Sequence, residues 1–292
     1  MNYDHAASII NLNLSVIIMV FNEEKNIENC LKSVQNWVKN IFIVDSYSTD
    51  STISIASKFT DRIYQIKYES FANKFNWSLN NLPISTEFIL RLDADEVVLD
   101  PDTFFYELAI WIAASCNNNG LYINRRYYFL NHWIRHGGMY PRKVLRIWRF
   151  GKAFFEDRLI DEKMVLNGTP DFLNIDIADR CQKGIFYWIQ KHIQYARREA
   201  IESGNMSYNK ACYTYEFDRE NYKNKRRYYL LPILIRPFLY FLFRVALQRG
   251  FMDGTIGMLY HFLHAFIYRE LVDYFIIKRK LNIMNMKRLI IL

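Results

Sequence analysis

The sequence is poor in cysteine and glycine, and these shortages exclude several classes of protein. Its four cysteines lie far apart and form no C-x-x-C pair (Cys30, Cys116, Cys181 and Cys212). This spacing argues against a zinc site and a disulfide framework, so we expect a reducing compartment. Only 10 of the 292 residues are glycine; no G-x-G-x-x-G follows the first predicted strand and no G-K-[ST] occurs. A dinucleotide-binding enzyme and a P-loop ATPase are therefore disfavoured.

Long apolar runs are also missing. A helix needs roughly 18–20 uncharged residues to cross a bilayer. The stretch 228–247 comes nearest, but Arg236 and Arg244 interrupt it and Pro232 and Pro237 break it. At the amino terminus no basic segment precedes an apolar one, so we expect no signal peptide. These features predict a cytoplasmic protein.

Positive charge is concentrated near the carboxyl-terminal end of the sequence. Residues 221–292 hold 13 Lys and Arg against 3 Asp and Glu, whereas the first 220 residues hold 25 against 27. The basic residues are interleaved with Leu, Ile and Phe, a pattern that favours a lipid surface over nucleic acid. We expect 206–292 to be a helical extension on the inner face of the cytoplasmic membrane. The alternative is a helical subdomain that packs on the catalytic core.

Apolar β-branched runs alternate with helical stripes over the first hundred residues. The predicted strands are 14–20, 41–45, 62–67 and 87–92. Three helices are expected between them: one that begins at Asn22 as its N-cap, one over 51–59 and one over 71–80. Further helices are expected at 101–114, 185–202 and 254–277, and further strands at 121–124 and 143–150. This order predicts an α/β fold, a mostly parallel sheet flanked by helices. Ligands of such sheets bind beyond the carboxyl ends of the strands.

An acidic cluster follows the fourth predicted strand. Asp93 and Asp95 are separated by one small residue, so both can point toward one centre. Carboxylate oxygens suit Mg²⁺ and Mn²⁺, and such ions often keep positions open for substrate phosphates. The pattern indicates a divalent-metal site that offsets the charge of a diphosphate leaving group. The alternative is a solvated turn.

Three segments, in order, resemble the motifs of family 2 glycosyltransferases with the GT-A fold. They are residues 15–24 (SVIIMVFNEE), 44–52 (VDSYSTDST) and 92–96 (LDADE). Three matches with ordinary spacing are far more specific than any one of them. The resemblance implies a GT-A catalytic domain over 1–205, with a nucleotide-sugar half at about 12–100 and an acceptor half at about 101–205.

The same resemblance implies roles for individual donor-site residues. These residues are Phe21, Glu23, Asp45, Arg91, Asp93 and Asp95. Phe21 falls near the nucleotide base, Asp45 at the nucleoside, and Asp93 and Asp95 at the ribose, the diphosphate and an Mn²⁺ or Mg²⁺ ion. Alternatives are core packing for Phe21 and capping of the following turn for Asp45. Tyr47 stands where the family usually has Gly, so a left-handed backbone there is expected to be costly.

Residues 125–141 (RRYYFLNHWIRHGGMYP) are dense in arginine, histidine and aromatic rings. Aromatic rings suit the apolar faces of sugars, and arginine suits phosphates. The segment resembles one in bacterial family 2 transferases that build lipopolysaccharide core, capsule or exopolysaccharide. The residues expected to bind the acceptor are Arg125, Arg126, Trp133, Arg135, His136 and Tyr140. The alternative is that the aromatic residues are core and the arginines a solvated face.

Inverting transfer needs a carboxylate that takes the proton of the acceptor hydroxyl. Related sequences have an Asp-Glu or His-Glu pair near position 162, so Glu162 is the first candidate base and Asp161 the second. The pair Glu156 and Asp157 competes, because Glu-Asp is the commoner base motif of the wider family. Lys163 replaces a histidine of some relatives, which puts a metal ligand there in doubt and suits a phosphate contact instead.

The segment 191–200 (KHIQYARREA) resembles a helix of the same subgroup, which implies a phosphate contact for His192; the alternative for this residue is packing. Together the patterns predict an inverting glycosyltransferase. Its donor is a UDP- or GDP-sugar, and its acceptor a lipid-linked or lipopolysaccharide saccharide. Rival hypotheses are a sugar-nucleotide pyrophosphorylase, which usually has a Gly-rich loop after the first strand, and a catalytically silent scaffold of a glycan-assembly complex.

Overall fold

The computed structural model describes residues 12–114, 117–156, 164–203 and 216–291. These residues form two compact units. The first unit comprises residues 12–114, 117–128, 141–156 and 164–182, and the second comprises 129–140, 183–203 and 216–291. The division differs from the expected boundary at 205/206, because the helix that begins at Gly184 groups with the carboxyl-terminal helices.

The regular elements alternate in the first unit and are mostly helical in the second. In chain order they are β1 (Leu12–Val20), α1 (Ile27–Lys32), β2 (Val38–Asp45), α2 (Thr52–Ala56), β3 (Ile63–Gln65), α3 (Phe71–Asn81), β4 (Phe88–Asp93), β5 (Glu96–Val98), α4 (Pro101–Ala114), β6 (Asn118–Phe129), β7 (His132–Ile134), β8 (Lys143–Arg149), β9 (Ala153–Phe155), β10 (Met164–Leu166), β11 (Thr169–Asp179), α5 (Gly184–Ser203), α6 (Glu216–Leu230), α7 (Ile235–Leu242), α8 (Gly254–His261) and α9 (Tyr268–Ile291). Strand β7 and the elements from α5 onward fall in the second unit.

The central sheet is parallel where the three motif segments lie and mixed beyond them. Its strand order is β3-β2-β1-β4-β8-β6-β11-β5. Strands β3, β2, β1 and β4 pair in parallel, whereas β8 runs antiparallel to both β4 and β6. The expected α/β architecture, with helices flanking a mostly parallel sheet, is confirmed.

The register of β1 places the acidic residues at one edge of the sheet. Val20, the last residue of β1, pairs with Asp45 on one side, and Met19 pairs with Asp93 on the other. Because the carboxyl ends of parallel strands meet at the same edge, the two carboxylates flank the end of β1. Strand β1 itself is a run of apolar side chains, almost all buried, as expected for a strand covered on both faces.

One apolar core holds the first unit together. It contains Ile18 of β1, Leu31 of α1, Leu90 of β4 and Leu108 of α4, all fully buried. Burial of a side chain of this size stabilises a fold by roughly 1.5–3 kcal/mol. Such a core is rigid, and it positions the strand ends described below.

In the second unit, α5 packs along α9. Ala196 of α5 is buried against Tyr268 and Val272. A helix cluster, defined here as Glu199, Tyr229, Tyr268 and Arg269, adds polar contacts. Arg269 Nη1 and the Tyr229 hydroxyl donate to Glu199 Oε1 over 2.7 and 2.8 Å, and the Tyr268 hydroxyl donates to Glu199 Oε2. The buried carboxylate is therefore bonded from several sides.

Some local predictions hold and others are wrong. The helix at 101–114 is confirmed. Asn22 is not an N-cap, because the first helix starts at Ile27 and Asn26 occupies the N-cap position. The helix expected over 254–277 is interrupted by a π-helical segment, Phe262–Ile267. None of the helices in the part of the chain that the structure describes combines the length and the apolarity that a membrane span requires.

Candidate active site

The loops that follow β1 and β2 bind each other reciprocally at the acidic edge of the sheet. The backbone N–H groups of Asn22, Glu23 and Glu24 donate to side-chain oxygens of Ser48, Thr52 and Asp50. In return, the N–H of Thr49 donates to Asn22 Oδ1 and that of Ser51 to Glu24 Oε2. The φ of Asn22 is +54°, a left-handed conformation that asparagine tolerates. These bonds explain why the chain forms a loop here and not the first turn of a helix.

Asp45 is fully buried at the end of β2. Its carboxylate accepts hydrogen bonds from the Ser48 N–H at 3.0 and 3.1 Å, and from Gln65 Nε2 at 3.0 Å. Tyr47 adopts φ +61°, the left-handed backbone that was expected to be costly. This conformation turns the chain so that Ser48 reaches the carboxylate, at a cost of about 1–2 kcal/mol. The geometry shows the turn-capping role, and a nucleoside contact stays a prediction.

Lys74 of α3 connects the ends of β1 and β2 from within the protein. Its Nζ donates to the Val20 carbonyl at 3.0 Å and to Ser46 Oγ at 2.7 Å, and the residue is 3% exposed. Burial lowers the pKa of Lys74 to about 8, although the nearby charge of Asp45 acts in the opposite direction. A buried ammonium group of this kind loses hydration and needs its hydrogen-bond partners.

Asp93, the first acidic residue of the D-x-D motif, is paired with two arginines. Arg91 Nη2 donates to its two oxygens at 2.8 and 3.0 Å, and Arg146 Nη2 lies 3.3 Å from Oδ2. The guanidinium of Arg91 lies over the rings of Phe71 and Phe155, at 4.5 and 5.0 Å. Burial would raise the pKa of Asp93, but the two arginines outweigh it and hold that pKa below its usual range.

Glu96 binds both the backbone of the D-x-D motif and one of its arginine partners. Its Oε2 accepts the Asp93 backbone N–H at 3.0 Å, and its Oε1 is bonded to Arg146. Burial raises the pKa of Glu96, while Arg146 acts against this rise. We call Arg91, Asp93, Glu96 and Arg146 the rim cluster. Arg125 Nη1, at 3.8 Å from Glu96 and 3.9 Å from Asp179, lies beside it.

Asp95, the second acidic residue of the motif, lines a cavity of about 260 Å³ in the first unit. The other lining residues are Asn26, Asn29, Val97, Arg180 and Gln182. Two backbone bonds hold the wall: Arg180 N–H donates to the Asp95 carbonyl at 2.7 Å, and Gln182 N–H donates to Asn26 Oδ1 at 2.8 Å. The cavity thus combines a carboxylate, amides and an arginine.

The two aspartates differ in their fitness to hold a divalent cation. Asp93 has arginine bonds on both oxygens, and Asp95 is one of the residues that line the cavity. In the described parts of the chain, no three side chains of His, Cys, Asp or Glu form a group that could hold a metal. Mg²⁺, however, is commonly bound by one or two carboxylates together with substrate phosphates. The residues therefore fit a metal held by Asp95 and a bound diphosphate.

The residues expected to bind the acceptor are divided between the two units. In the first unit, Arg125 contacts the rim cluster and Arg126 Nε donates to Asp176 at 2.9 Å. In the second unit, the rings of Trp133 and Tyr140 meet edge to face at 5.2 Å. There Arg135 lies over Trp133, and His136 is bonded to Asp253.

His192 lies in an aromatic stack on α5. Its ring is 3.6 Å from that of Trp188, its Nδ1 is 2.8 Å from the Trp188 carbonyl, and Tyr195, Tyr268 and His264 contact it edge to face. Burial lowers the pKa of His192 to about 4. Since a neutral ring cannot offset phosphate charge, this geometry favours packing over the predicted phosphate contact.

The candidate bases lie outside the described residues. This holds for Glu162, Asp161 and Asp157, and also for the predicted phosphate contact Lys163. Glu156 of the competing pair directly follows β9. The assignment of the base thus stays a prediction.

Sequence reasoning missed Lys74, Arg146 and Arg180. A lysine within an amphipathic helix and an arginine within an alternating strand are ordinary surface signals. Arg146 reaches Asp93 only because β8 pairs with β4, which brings Leu90 opposite Ile147. That antiparallel pairing was not visible in the sequence.

The family described as glycosyl transferase family 2 matches residues 15–158. The match contains the strand ends that carry Asp45, Asp93 and Asp95. Residues 15–158 of the chain belong to this family.

Relatives within the glycosyltransferases include the lipopolysaccharide core biosynthesis glycosyltransferase LpsC of Rhizobium meliloti (strain 1021). It is 27% identical over 269 residues, which is 87% of this chain and 91% of LpsC. The SPbeta prophage-derived glycosyltransferase SunS of Bacillus subtilis (strain 168) is 40% identical over 83 residues, 27% of this chain. The match spans only 19% of SunS. S. aureus TarS 1-349, solved in complex with UDP-GlcNAc, is 15% identical with a TM-score of 0.49; the match covers 90% of this chain and 89% of TarS.

Proposed function

We propose that this chain transfers a sugar from a nucleoside-diphosphate sugar, with UDP or GDP, to a saccharide acceptor, with inversion at the anomeric carbon. The observation that carries the proposal is the arrangement of the D-x-D motif. Asp95 lines a cavity at the edge where ligands of such sheets bind, and Asp93 is held in place by Arg91 and Arg146. Membership of family 2 supports the same chemistry.

In the proposed reaction, an acceptor hydroxyl forms a bond to the anomeric carbon as the bond to the diphosphate breaks. The diphosphate leaves with the electron pair, and the hydroxyl proton passes to a carboxylate, for which Glu162 is the first candidate. Arg180 offers positive charge to the leaving group from the cavity wall. Asp95 would hold a Mg²⁺ or Mn²⁺ ion, which supplies Lewis-acid neutralisation of the diphosphate when bound.

For the acceptor we propose a lipid-linked saccharide of the lipopolysaccharide-core type, with a capsule or exopolysaccharide precursor as the second candidate. The support comes from LpsC, whose name gives it a role in lipopolysaccharide core biosynthesis, and from the similarity over 87% of this chain. The aromatic residues of 129–140 suit a sugar acceptor as well.

We propose in addition that the second unit binds an anionic membrane surface. Helix α7 has its apolar side turned to solvent: Ile235, Phe238, Leu239 and Leu242 are 42–54% exposed. They recur at i, i+3, i+4 and i+7, which is one face of a helix. On the opposite side, Arg236 is buried and paired with Asp273. An exposed apolar face of this kind marks an interaction surface.

Charge next to α7 favours a lipid as the occupant of this surface. Lys223, Arg226 and Arg227 are exposed just before α7, and Arg249 is exposed after it. Basic residues beside an apolar helix face attract anionic lipid, at about 1 kcal/mol for each charge near the surface. A second copy of the chain would bring the same positive flanks, and like charges repel.

Co-sedimentation with vesicles tests the membrane proposal. Wild type should pellet with phosphatidylglycerol vesicles, and the double variant Phe238→Ser, Leu242→Ser should lose most of that binding. Phe186→Ser is the matched control, because Phe186 is 81% exposed on α5, outside the α7 face. Equal binding by wild type and the double variant, or dimerisation through α7 without lipid binding, would contradict the proposal.

A ligand screen followed by an assay tests the transferase proposal. UDP, GDP and their sugars are compared by thermal shift with and without Mn²⁺, since a ligand specific for the folded state raises the melting temperature. A donor found in this way should then be hydrolysed slowly to free sugar and nucleoside diphosphate. Stabilisation without hydrolysis or transfer favours the silent scaffold. Formation of a nucleotide sugar from a sugar phosphate and a nucleoside triphosphate would favour the pyrophosphorylase.

A further inference from the structure

A second polar arrangement lies in the second unit, around the turn that contains Gly137. Asp253, whose side chain is only 3% exposed, binds His136 twice. One carboxylate oxygen accepts the His136 backbone N–H at 2.9 Å, and the other lies 2.6 Å from the ring Nδ1. The imidazole ring keeps 29% of its side-chain area exposed. The described residues place no hydrogen-bond partner on Nε2. One side of the ring is thus fixed by a buried carboxylate, and the other side is open.

The turn beneath this ring is held from several directions. The Gly137 N–H donates to the Gln248 carbonyl at 2.9 Å, and Arg244 Nε donates to the Gly137 carbonyl at 2.7 Å. Gly137 has φ +65°, and a Cβ there would lie 2.2 Å from the ring of His261. Glycine is therefore required at 137, and the backbone that carries His136 has little freedom.

The carboxylate decides which ring nitrogen of His136 carries the proton. An ionised carboxylate only accepts hydrogen bonds, so Nδ1 must be the donor and a neutral ring keeps a lone pair on Nε2. The other groups that face Asp253 do not take over this role. His261 Nε2 is 3.7 Å from Asp253 Oδ2, which is too far for a hydrogen bond. Burial of the His261 ring, together with the nearby charge of Arg244, lowers the pKa of His261 to about 4. Arg244 itself is engaged by Gly137 and by His264, 3.0 Å from its Nη1.

We propose that Asp253 is a positioning residue that fixes this tautomer, so that Nε2 of His136 accepts a hydrogen bond from a hydroxyl of the saccharide acceptor. The inference rests on the proposed glycosyl transfer, and it extends that proposal to a residue far from any family motif. A hydroxyl can donate or accept a hydrogen bond. Because the fixed tautomer leaves Nε2 as an acceptor, the hydroxyl must act as the donor toward His136. Trp133, three residues earlier, is half-buried, with Arg135 over its ring, and aromatic residues of this kind suit sugars.

Two substitutions separate the two sides of the ring. In His136→Asn the amide nitrogen can still donate to Asp253, but the outer nitrogen is gone. In Asp253→Asn the new amide can accept the backbone N–H and donate to Nδ1, which moves the ring proton to Nε2. His132→Asn is the matched control, because it makes the same exchange four residues earlier on β7.

Kinetics with core oligosaccharide released from rough lipopolysaccharide, and the donor found by thermal shift, give the first readout. His136→Asn and Asp253→Asn should each raise the acceptor KM about tenfold, the value of one hydrogen bond. The donor KM should change by less than twofold, and the control should behave as wild type. An unchanged acceptor KM in His136→Asn overturns the inference.

The ring proton itself gives the second readout, which does not depend on transfer. Long-range ¹H–¹⁵N spectra of the six histidines distinguish the tautomers, and the His136 signals are those missing in His136→Asn. The wild type should carry its proton on Nδ1, and Asp253→Asn should carry it on Nε2. A wild-type proton on Nε2 overturns the inference whatever the assay shows. If no acceptor is used although the tautomer is as expected, the proposed acceptor class has failed and the positioning by Asp253 stands.

Discussion

The rim cluster of the first unit and the helix cluster of the second unit are built from similar residues but differ in their surroundings. Both hold a buried glutamate against arginine, Glu96 with Arg146 and Glu199 with Arg269. Glu199 accepts hydrogen bonds from two tyrosine hydroxyls. Burial would raise its pKa, but the charges of Arg269 and Lys225 outweigh burial and lower the pKa to about 2. Burial raises the pKa of Glu96, which shares Arg146 with a second carboxylate, Asp93.

The comparison shows that like charges lie close together in the rim cluster, whereas Glu199 is the one carboxylate of the helix cluster. In the helix cluster a single carboxylate, Glu199, accepts hydrogen bonds from Arg269 and from two tyrosine hydroxyls. The rim cluster crowds two carboxylates and two arginines, and its Asp93 side chain is 29% exposed. Crowded, partly open charges are typical of functional sites, whereas a lone buried carboxylate that accepts bonds from several donors is typical of structural sites. Substitutions in the two clusters should therefore change different quantities.

The largest effect is expected at Asp95, which belongs to the same D-x-D motif as Asp93 of the rim cluster and lines the cavity beside it. Asp95→Asn should lower turnover at least 100-fold, because it removes the carboxylate proposed to hold the metal ion that neutralises the diphosphate, while the melting temperature changes little. Steady-state kinetics and a thermal melt measure both quantities. Asp102→Asn, an exposed acidic residue at the start of α4, serves as the control. Turnover near that of wild type would remove Asp95 from the mechanism.

The second effect concerns the helix cluster. Glu199→Gln should lower the free energy of unfolding by about 2 kcal/mol, because Arg269 loses its counter-charge in a buried site. Turnover per folded molecule should stay unchanged. Denaturant unfolding at pH 7 measures the loss of stability. A loss of activity in fully folded Glu199→Gln would erase the distinction between the two clusters.

The same residue predicts a dependence on acid. The folded pKa of Glu199, about 2, lies below the ordinary value of 4.5, so its contribution is complete above the unfolded pKa and is lost as pH falls from there toward 2. Wild type should therefore lose more stability than Glu199→Gln between pH 5 and pH 3. Parallel unfolding curves of the two proteins across this range would contradict the assignment.

A third, intermediate effect is expected for Glu96→Gln. The amide oxygen can still accept the Asp93 N–H, but Arg146 loses its closest counter-charge and Asp93 becomes its remaining partner. We expect about a tenfold loss in kcat/KM for the donor, and a smaller loss of stability than in Glu199→Gln. Kinetics and melts on the same preparation decide this. A larger stability loss than in Glu199→Gln would make the rim cluster structural.

The smallest effect concerns Lys74. Its folded pKa, about 8, lies below the ordinary value of 10.5, so the unfolded chain binds more protons above pH 8 and stability rises with pH. From pH 7.5 to 9 this group should add about 1 kcal/mol in wild type relative to Lys74→Met. Unfolding free energies of both proteins across this range provide the test. An identical pH dependence would mean that Lys74 is as well solvated in the folded state as in the unfolded chain.

Sequence patterns predicted the fold well wherever local signals agree with the tertiary structure. The apolar runs gave β1, β2 and β4, and helix α4 was predicted with its bounds, 101–114. The position of Asp95 at the edge of the sheet was predicted from its place just after the apolar run of the fourth strand. The loop after β1 was predicted wrongly, because its backbone is satisfied by Ser48, Asp50 and Thr52, which lie more than twenty residues away.

The charged partners of the site could not be predicted for a related reason. These partners, Arg146, Arg180 and Asp253, are distant in sequence from the residues that they contact. The periodicity of a segment gives no information about which distant side chains it will contact. Their roles depend on pairings such as β4 with β8. The left-handed Tyr47 shows the same limit, since its strain is offset by bonds to Asp45 that local preference does not include.

The register of β1 with its two neighbours has a consequence for how this site can change. Adjacent strands lie about 4.8 Å apart, so the backbones that carry Asp45 and Asp93 are separated by two strand widths, about 10 Å. The width of a buried strand sets this spacing, and loop length does not. Insertions and substitutions in the loops beyond the strands can therefore change the surroundings of the site, while the sheet itself keeps the distance between the proposed nucleoside end at Asp45 and the proposed diphosphate end at Asp93.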